Sequence, residues 1–248
     1  MIRLGVIGYG GRARGVVGLI EALNAGVEVV AITDVRSDEI RQQLGEGAAK
    51  VAFYTDPDEM LDKEKLDGVL IGTRCSLHAQ MAIKVLKRNL PLYLEKPVAT
   101  NMADLLALKA AGAASSSKVV VSFPLRVTPL VRVAKEIIDS GQIGTVEHVQ
   151  AVNNVNYGWC YFQGWYRDEN ETQGLFLQKA THDFDYINHI LGIKRRRGCA
   201  RPSPSRYSRA IARRGSSAMS ATSRIPAWRA HSISTTPSTK RRECSPRA

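Results

Sequence analysis

Cysteine is scarce in this chain. Cys75, Cys160, Cys199 and Cys244 form no CxxC pair and no metal-ligand spacing, which argues against a disulfide framework and a zinc site and fits reduced thiols in a cytoplasm. No apolar run approaches the roughly 18 residues of a membrane span. The opening MIRLGVIG lacks the basic stretch, long apolar core and cleavage site of a secretory signal. Acidic side chains are missing from one place: residues 194–248 carry 15 Lys and Arg against the single Glu243, whereas residues 1–193 carry 20 basic and 22 acidic residues. The net charge of +12 therefore belongs to the tail, and the body offers no basic surface for nucleic acid.

The tail is the odd part. Its 13 Arg, 11 Ser and 5 Pro come with almost no apolar periodicity, so it cannot bury enough surface to offset its conformational entropy and is expected to be disordered. Two origins are open. Clustered arginine attracts phosphate without sequence preference, but only Tyr207 and Trp228 are there to stack on bases. Alternatively, the abrupt change near residue 194 is a reading-frame shift in a GC-rich gene, and the tail has no selected function.

The body reads as an α/β protein. Five apolar runs, IRLGVIG, VEVVAITD, DGVLIGT, LPLYLEKP and KVVVSFP, are short, rich in Val, Ile and Leu and without polar alternation. That is the pattern of strands buried on both faces. Helix-period segments separate them, with Ser76 and Asn101 as candidate N-caps. Strict alternation predicts a doubly wound parallel sheet over 1–123. Past Pro124, TPLVRVAKEIIDSGQIG predicts a helix with Thr128 as N-cap and Pro129 at its first position. TVEHVQAVNNVNY alternates like a half-exposed strand, and a helix is expected over 175–191. Residues 124–193 thus predict an incomplete second α/β domain that begins an open mixed sheet and does not finish it.

GVIGYGGRARG carries the first chemistry. Gly8, Gly10 and Ala13 fit G-x-G-x-x-G/A directly after a strand and at the opening of a helix, with Gly11 and Arg12 completing the turn. Gly8 allows the tight turn, Gly10 the approach of a pyrophosphate, and Ala13 close packing of helix on strand. Asp34, at the end of the second strand, suits the ribose hydroxyls of an adenosine and argues for NAD, while Arg36 would accommodate the 2′-phosphate of NADP. In YLEKPVAT, Lys96 falls at the carboxyl edge of the sheet, where ligands of open α/β folds bind. There an ammonium can handle the proton of a reacting hydroxyl, with Glu95 as its expected orienting partner.

Gly8-x-Gly10, Asp34, EKP at 95–97, SGQIGTV at 140–146 and THDFDYINHILG at 181–192 together resemble the Gfo/Idh/MocA oxidoreductases over residues 1 to about 193. The resemblance implies an N-terminal Rossmann domain and a second domain whose open sheet covers the substrate. It further implies NAD- or NADP-dependent hydride transfer on sugars and cyclitols, with a homo-oligomer in complete members that an unfinished sheet is not expected to form. Lys96 and His182 match the family's catalytic lysine and histidine. Gln178, His182, Asp185 and His189 also share one helical face by spacing. Gln178 stands where cyclitol-oxidising members carry Asp; with Lys179 and Asp183 it is a candidate substrate contact that can bind a hydroxyl but cannot ionise. Thr73 and His78 resemble the cofactor-side loop, although Arg74-Cys75 replaces its usual Pro-Asn. Arg126, Trp165 and Arg167 resemble residues reaching the nicotinamide from the second domain.

Enzyme is thus the first expectation, with low turnover because an unfinished sheet leaves the substrate side open to water. A non-catalytic NAD-sensing protein and a basic-tailed nucleic-acid binder are the two other classes. No metal is expected.

Overall fold

A computed structural model describes residues 1–155 and 158–192; the expectations for the basic tail lie outside the described residues. The elements run β1 (Ile2–Ile7), α1 (Gly11–Ala22), β2 (Val27–Thr33), α2 (Ser37–Leu44), β3 (Ala52–Tyr54), α3 (Pro57–Lys63), β4 (Gly68–Ile71), α4 (His78–Lys87), β5 (Leu92–Leu94), α5 (Met102–Ala114) and β6 (Val119–Val121). They continue with α6 (Pro129–Asp139), α7 (Cys160–Gln163), α8 (Glu169–Thr172), α9 (Leu175–Gln178) and α10 (Ala180–Leu191).

Six strands form one sheet in the order β3-β2-β1-β4-β5-β6, and every pairing is parallel. This is the doubly wound order whose direction of winding reverses between β1 and β4, opening a crevice at the strands' carboxyl ends. Alternate side chains supply the two cores. Ile7, Ala31, Val69, Ile71, Leu92 and Leu94 pack with Met60, Ala82 and Val85 on one face. Leu4, Val6, Ile32 and Leu70 pack with Ala13, Val17 and Ile40 on the other. Burial on both faces is why these strands read as unbroken apolar runs.

Local chemistry sets the helix starts. Asn101 accepts from Asp104 N at 2.8 Å, the expected cap of α5. Asp56 accepts from Asp58 N at 2.9 Å before Pro57 at the head of α3. Ser76 is not a cap: α4 begins two residues later, and the Ser76 hydroxyl instead donates to Glu171 Oε2 at 2.5 Å. Thr128 does precede α6 in extended backbone, but its hydroxyl donates back to Leu125 O at 2.8 Å rather than accepting from the helix.

The strand expected over 145–157 is not formed over its described part, residues 145–155. Residues 145–155 are mostly exposed and belong to no ladder, and every strand among the described residues lies in the parallel sheet. An alternating segment becomes a strand only when a neighbour takes up its N–H and C=O groups, and no such neighbour is present among the described residues. The second region is therefore helical among the described residues, and the mixed sheet is absent from it. No helix among the described residues is long and apolar enough to cross a membrane.

Candidate active site

The glycine turn leaves β1 with Gly8 at φ +82°. A Cβ there would lie 2.7 Å from Thr73 N and 2.8 Å from Thr73 Cα, so both the backbone sign and the backbone-to-backbone approach require glycine. Gly72, not singled out by any motif, closes the same contact from β4: a Cβ on it would meet Ala13 Cβ at 2.8 Å. The small residue expected at Ala13 and Gly72 thus seat α1 against the sheet. Around Gly10 and Gly11 the space is open, with nothing nearer than Gly72 O at 4.0 Å from a Cβ on Gly10. Gly10 caps α1 without a side-chain bond, and there is no acidic residue in the first turn. The first intrahelical bond is Arg14 N to Gly10 O, so the N–H groups of Gly11, Arg12 and Ala13 just ahead of it are left for an anion.

Asp34 stands next to this turn. It is buried, accepts from Tyr9 N and Arg36 N at 2.9 Å each, and pairs with the Arg36 guanidinium at 3.3 Å. A carboxylate offers about four lone-pair directions; Tyr9 N, Arg36 N and two guanidinium contacts at 3.3 and 3.5 Å take them up, so a ribose hydroxyl reaches Asp34 by displacing the longer contacts of the Arg36 side chain. An open cradle, free N–H groups and a positioned carboxylate fit a dinucleotide.

Across the crevice, Lys96 follows β5 and donates its Nζ to Gln178 O at 2.5 Å. That carbonyl is available because the helix expected over 175–191 breaks at Lys179: His182 N bonds to Lys179 O, one residue short of the α-helical partner. The break also brings Gln178 and His182 to Lys96. Gln178 is only 6 % exposed, and its Oε1, like His182 Nδ1, is buried without a hydrogen-bond partner among the described residues. Each such buried polar atom left without a partner is costly and marks a position under functional constraint. The ring of His182 stands edge-on to Phe123 at 5.9 Å.

Burial lowers the Lys96 pKa from its ordinary value, with Lys179 and Arg12 acting in the same sense and Glu95 and Cys75 against it. For His182, burial first and then the charges of Lys96 and Lys179 bring the pKa to about 4. Between 6.5 and about 4 the unfolded chain binds a proton that the folded chain refuses, so stability falls as pH drops through that window and levels off below it. The urea midpoint of the chain should therefore drop more between about pH 7.5 and about pH 5 than that of a His182→Gln variant; equal drops would contradict a buried neutral imidazole.

Other expected residues sit differently. Glu95 does not orient Lys96: its Oε1 accepts from Arg12 Nε at 2.8 Å, and Arg12 Nη2 donates onward to Ser122 Oγ at 3.2 Å. Arg12 thus ties the glycine turn to the ends of β5 and β6, a contact no spacing rule contains. His78 is 2 % exposed beneath the crevice, its Nδ1 2.7 Å from Pro97 O and its Nε2 3.2 Å from Thr73 O. It ties the lysine's turn to the end of β4 and does not face the crevice as a cofactor contact; burial lowers its pKa. Arg126 is engaged by Asp185, through Nε to Oδ2 at 2.7 Å and a second bond to Oδ1. Trp165 stacks on Tyr166 and carries the Arg74 guanidinium 4.3 Å from its ring centre, whereas Arg167 is exposed. Asp183 accepts from Asn153 at 2.9 Å and lies 3.6 Å from Lys179. No group of three or more His, Cys, Asp or Glu among the described residues is arranged to hold a metal ion.

Residues 2–123 match the model of an oxidoreductase family with an NAD-binding Rossmann fold, and residues 131–207 match a GFO/IDH/MocA C-terminal domain. The chain belongs to the GFO/IDH/MocA family. This GFO/IDH/MocA chain is 32% identical to YteT of Bacillus subtilis, over 70% of its own length and 42% of that protein. It is 27% identical to myo-inositol 2-dehydrogenase of Thermotoga maritima, over 77% of itself and 55% of that enzyme. The solved myo-inositol 2-dehydrogenase of Lactobacillus plantarum shares its fold at a TM-score of 0.67 and 22% identity, covering 77% of this chain and 56% of that one. The chain spans about half the length of the curated relatives it matches.

Proposed function

We propose that the chain is an NAD-dependent oxidoreductase that moves hydride between nicotinamide and a hydroxyl-bearing carbon of a sugar- or cyclitol-like substrate. The observation that carries this reading is the meeting of Lys96 Nζ with Gln178 and His182, beside two unpartnered buried polar atoms, at the sheet edge that also holds the glycine turn and Asp34. The family's printed description and the inositol dehydrogenases among its relatives support it.

NAD, when bound, supplies the hydride acceptor. The chain's own residues do the rest. The N–H groups at the start of α1 hold the diphosphate, and Asp34 accepts from the ribose hydroxyls and repels a 2′-phosphate. Lys96, whose proton is loosened by burial, exchanges a proton with the reacting hydroxyl at Nζ. His182, neutral near pH 7, offers Nδ1 to the same oxygen or a neighbouring one. Gln178 Oε1 accepts from a further hydroxyl. Reduced Cys75 and Cys160, free in the structure, suit a cytoplasmic setting.

Nicotinamide fluorescence tests the cofactor half. NADH should saturate the chain at least about tenfold more tightly than NADPH, and Asp34→Ala should narrow that gap by roughly 1–3 kcal/mol, the worth of a hydrogen bond to a charged group. Equal affinity for the two cofactors in the unmutated chain would remove Asp34 from the adenosine ribose.

A further inference from the structure

Glu95 is the carboxylate next to Lys96 in the chain, yet the two do not pair. Glu95 is buried, and its Oε1 accepts from Arg12 Nε at 2.8 Å. The guanidinium is held at a second point, where Nη2 donates to Ser122 Oγ at 3.2 Å, and that buried hydroxyl is itself fixed by a 3.0 Å bond from the Tyr93 hydroxyl. Arg12 belongs to the glycine turn: its N–H precedes the first intrahelical bond, while its side chain crosses to the residue before the lysine. Lys96 has no carboxylate within ion-pair distance among the described residues and donates to the carbonyl of Gln178. The groups that bear on it are Arg12 from α1, Cys75 from the turn after β4, Glu95 beside it, Lys179 ahead of α10 and His182 within α10. Glu95 is the one carboxylate in that set, and burial keeps the Cys75 thiol protonated. Without the guanidinium, the charge of Glu95 would act uncancelled on the ammonium one residue on.

We infer that Arg12 is a positioning residue for proton transfer: by holding Glu95 it keeps that carboxylate from fastening the proton on Lys96, so the ammonium is free to give the proton up and take it back. The inference rests on the oxidoreductase reading and adds a residue to it. Arg12 and Glu95 form one neutral unit, and burial is left to loosen the Lys96 proton. One residue thereby joins the two halves of the crevice, its main chain in the glycine turn and its side chain at the turn that carries the lysine.

The test is the pH dependence of Lys96 acetylation by trace acetic anhydride, followed by mass spectrometry on the full chain without cofactor; its midpoint marks where Lys96 loses its proton. Arg12→Gln keeps a donor for Glu95 and removes the charge, and Arg12→Met removes both. Each should raise the midpoint by roughly one pH unit, the lower end of what a neighbouring opposite charge does. Combining Arg12→Gln with Glu95→Gln removes both charges and should return the midpoint to that of the unmutated chain, and Arg12→Lys, which keeps the cation, should leave it there. A purely structural tie predicts a loss of urea stability with the midpoint unmoved. An unmoved or lowered midpoint in Arg12→Gln, or a double variant as high as Arg12→Gln alone, would overturn the inference. Titration of the unmutated chain with NADH, read by nicotinamide fluorescence, separates the two readings. NADH binding with an unmoved midpoint sinks the role of Arg12 alone. A raised midpoint in a chain that binds no NADH upholds the hold of Arg12 on Glu95 and sinks the oxidoreductase.

Discussion

Gly8→Ala should destabilise the chain by roughly 2–5 kcal/mol and abolish NADH binding. The estimate joins two independent effects: a non-glycine residue held at positive φ costs about 1–2 kcal/mol, and forcing a methyl into a packed backbone contact costs about 1–3 kcal/mol more. Both apply, because Gly8 has φ +82° and its Cβ would sit 2.7 Å from Thr73 N. Relief would require the ends of β1 and β4 to separate, which pulls Gly72 away from Ala13 and turns the first N–H groups of α1 out of the crevice. Urea unfolding measures the first effect and nicotinamide fluorescence the second. Gly11→Ala is the control: a Cβ there meets nothing within 4 Å, so stability should hold.

Lys96→Met should slow hydride transfer by about 10²–10⁴, the usual worth of a positioned proton-transfer group, while NADH affinity is largely kept. Methionine preserves the length and apolar stem of lysine and removes only the Nζ that donates to Gln178 O. Single-turnover NADH formation at high enzyme concentration, with myo-inositol and D-glucuronate as probes, measures the effect. A variant as fast as the unmutated chain would make Lys96 a structural tie between the β5 turn and α9. Glu95→Gln should matter less to the proton and more to the turn, because Glu95 bonds Arg12 rather than Lys96.

The parallel sheet was legible because burial on both faces writes itself as unbroken apolar runs. β3 escaped that rule: it is three residues long, lies at the sheet edge and is only partly buried, so its composition resembles the loop around it. Asp56-Pro57, a capping pair at the head of α3, was the available sign. The alternation over 145–155 misled for the opposite reason, since a strand is a relation between two segments and the second is absent from the described residues. In the site, Lys96 and His182 could be named from motifs, but their meeting depends on the break at Lys179, and helix periodicity runs through that point undisturbed. Arg12 with Glu95, and Gly72 with Ala13, are pairings across 83 and 59 residues that only the folded sheet brings together. Arg126 shows a further pairing that spacing does not contain: its guanidinium binds Asp185 and so ties the turn after β6 to α10.

The central claim is that a dinucleotide lies along the carboxyl edge of the sheet with its nicotinamide at Lys96. A crystal structure of the full chain with NADH tests it most directly. The diphosphate should rest on the N–H groups that open α1, the adenosine ribose on Asp34, and the nicotinamide ring in contact with Lys96 Nζ and within reach of His182. A cofactor bound away from the glycine turn, or a nicotinamide out of contact with Lys96 while Nζ stays on the Gln178 carbonyl, would contradict the account.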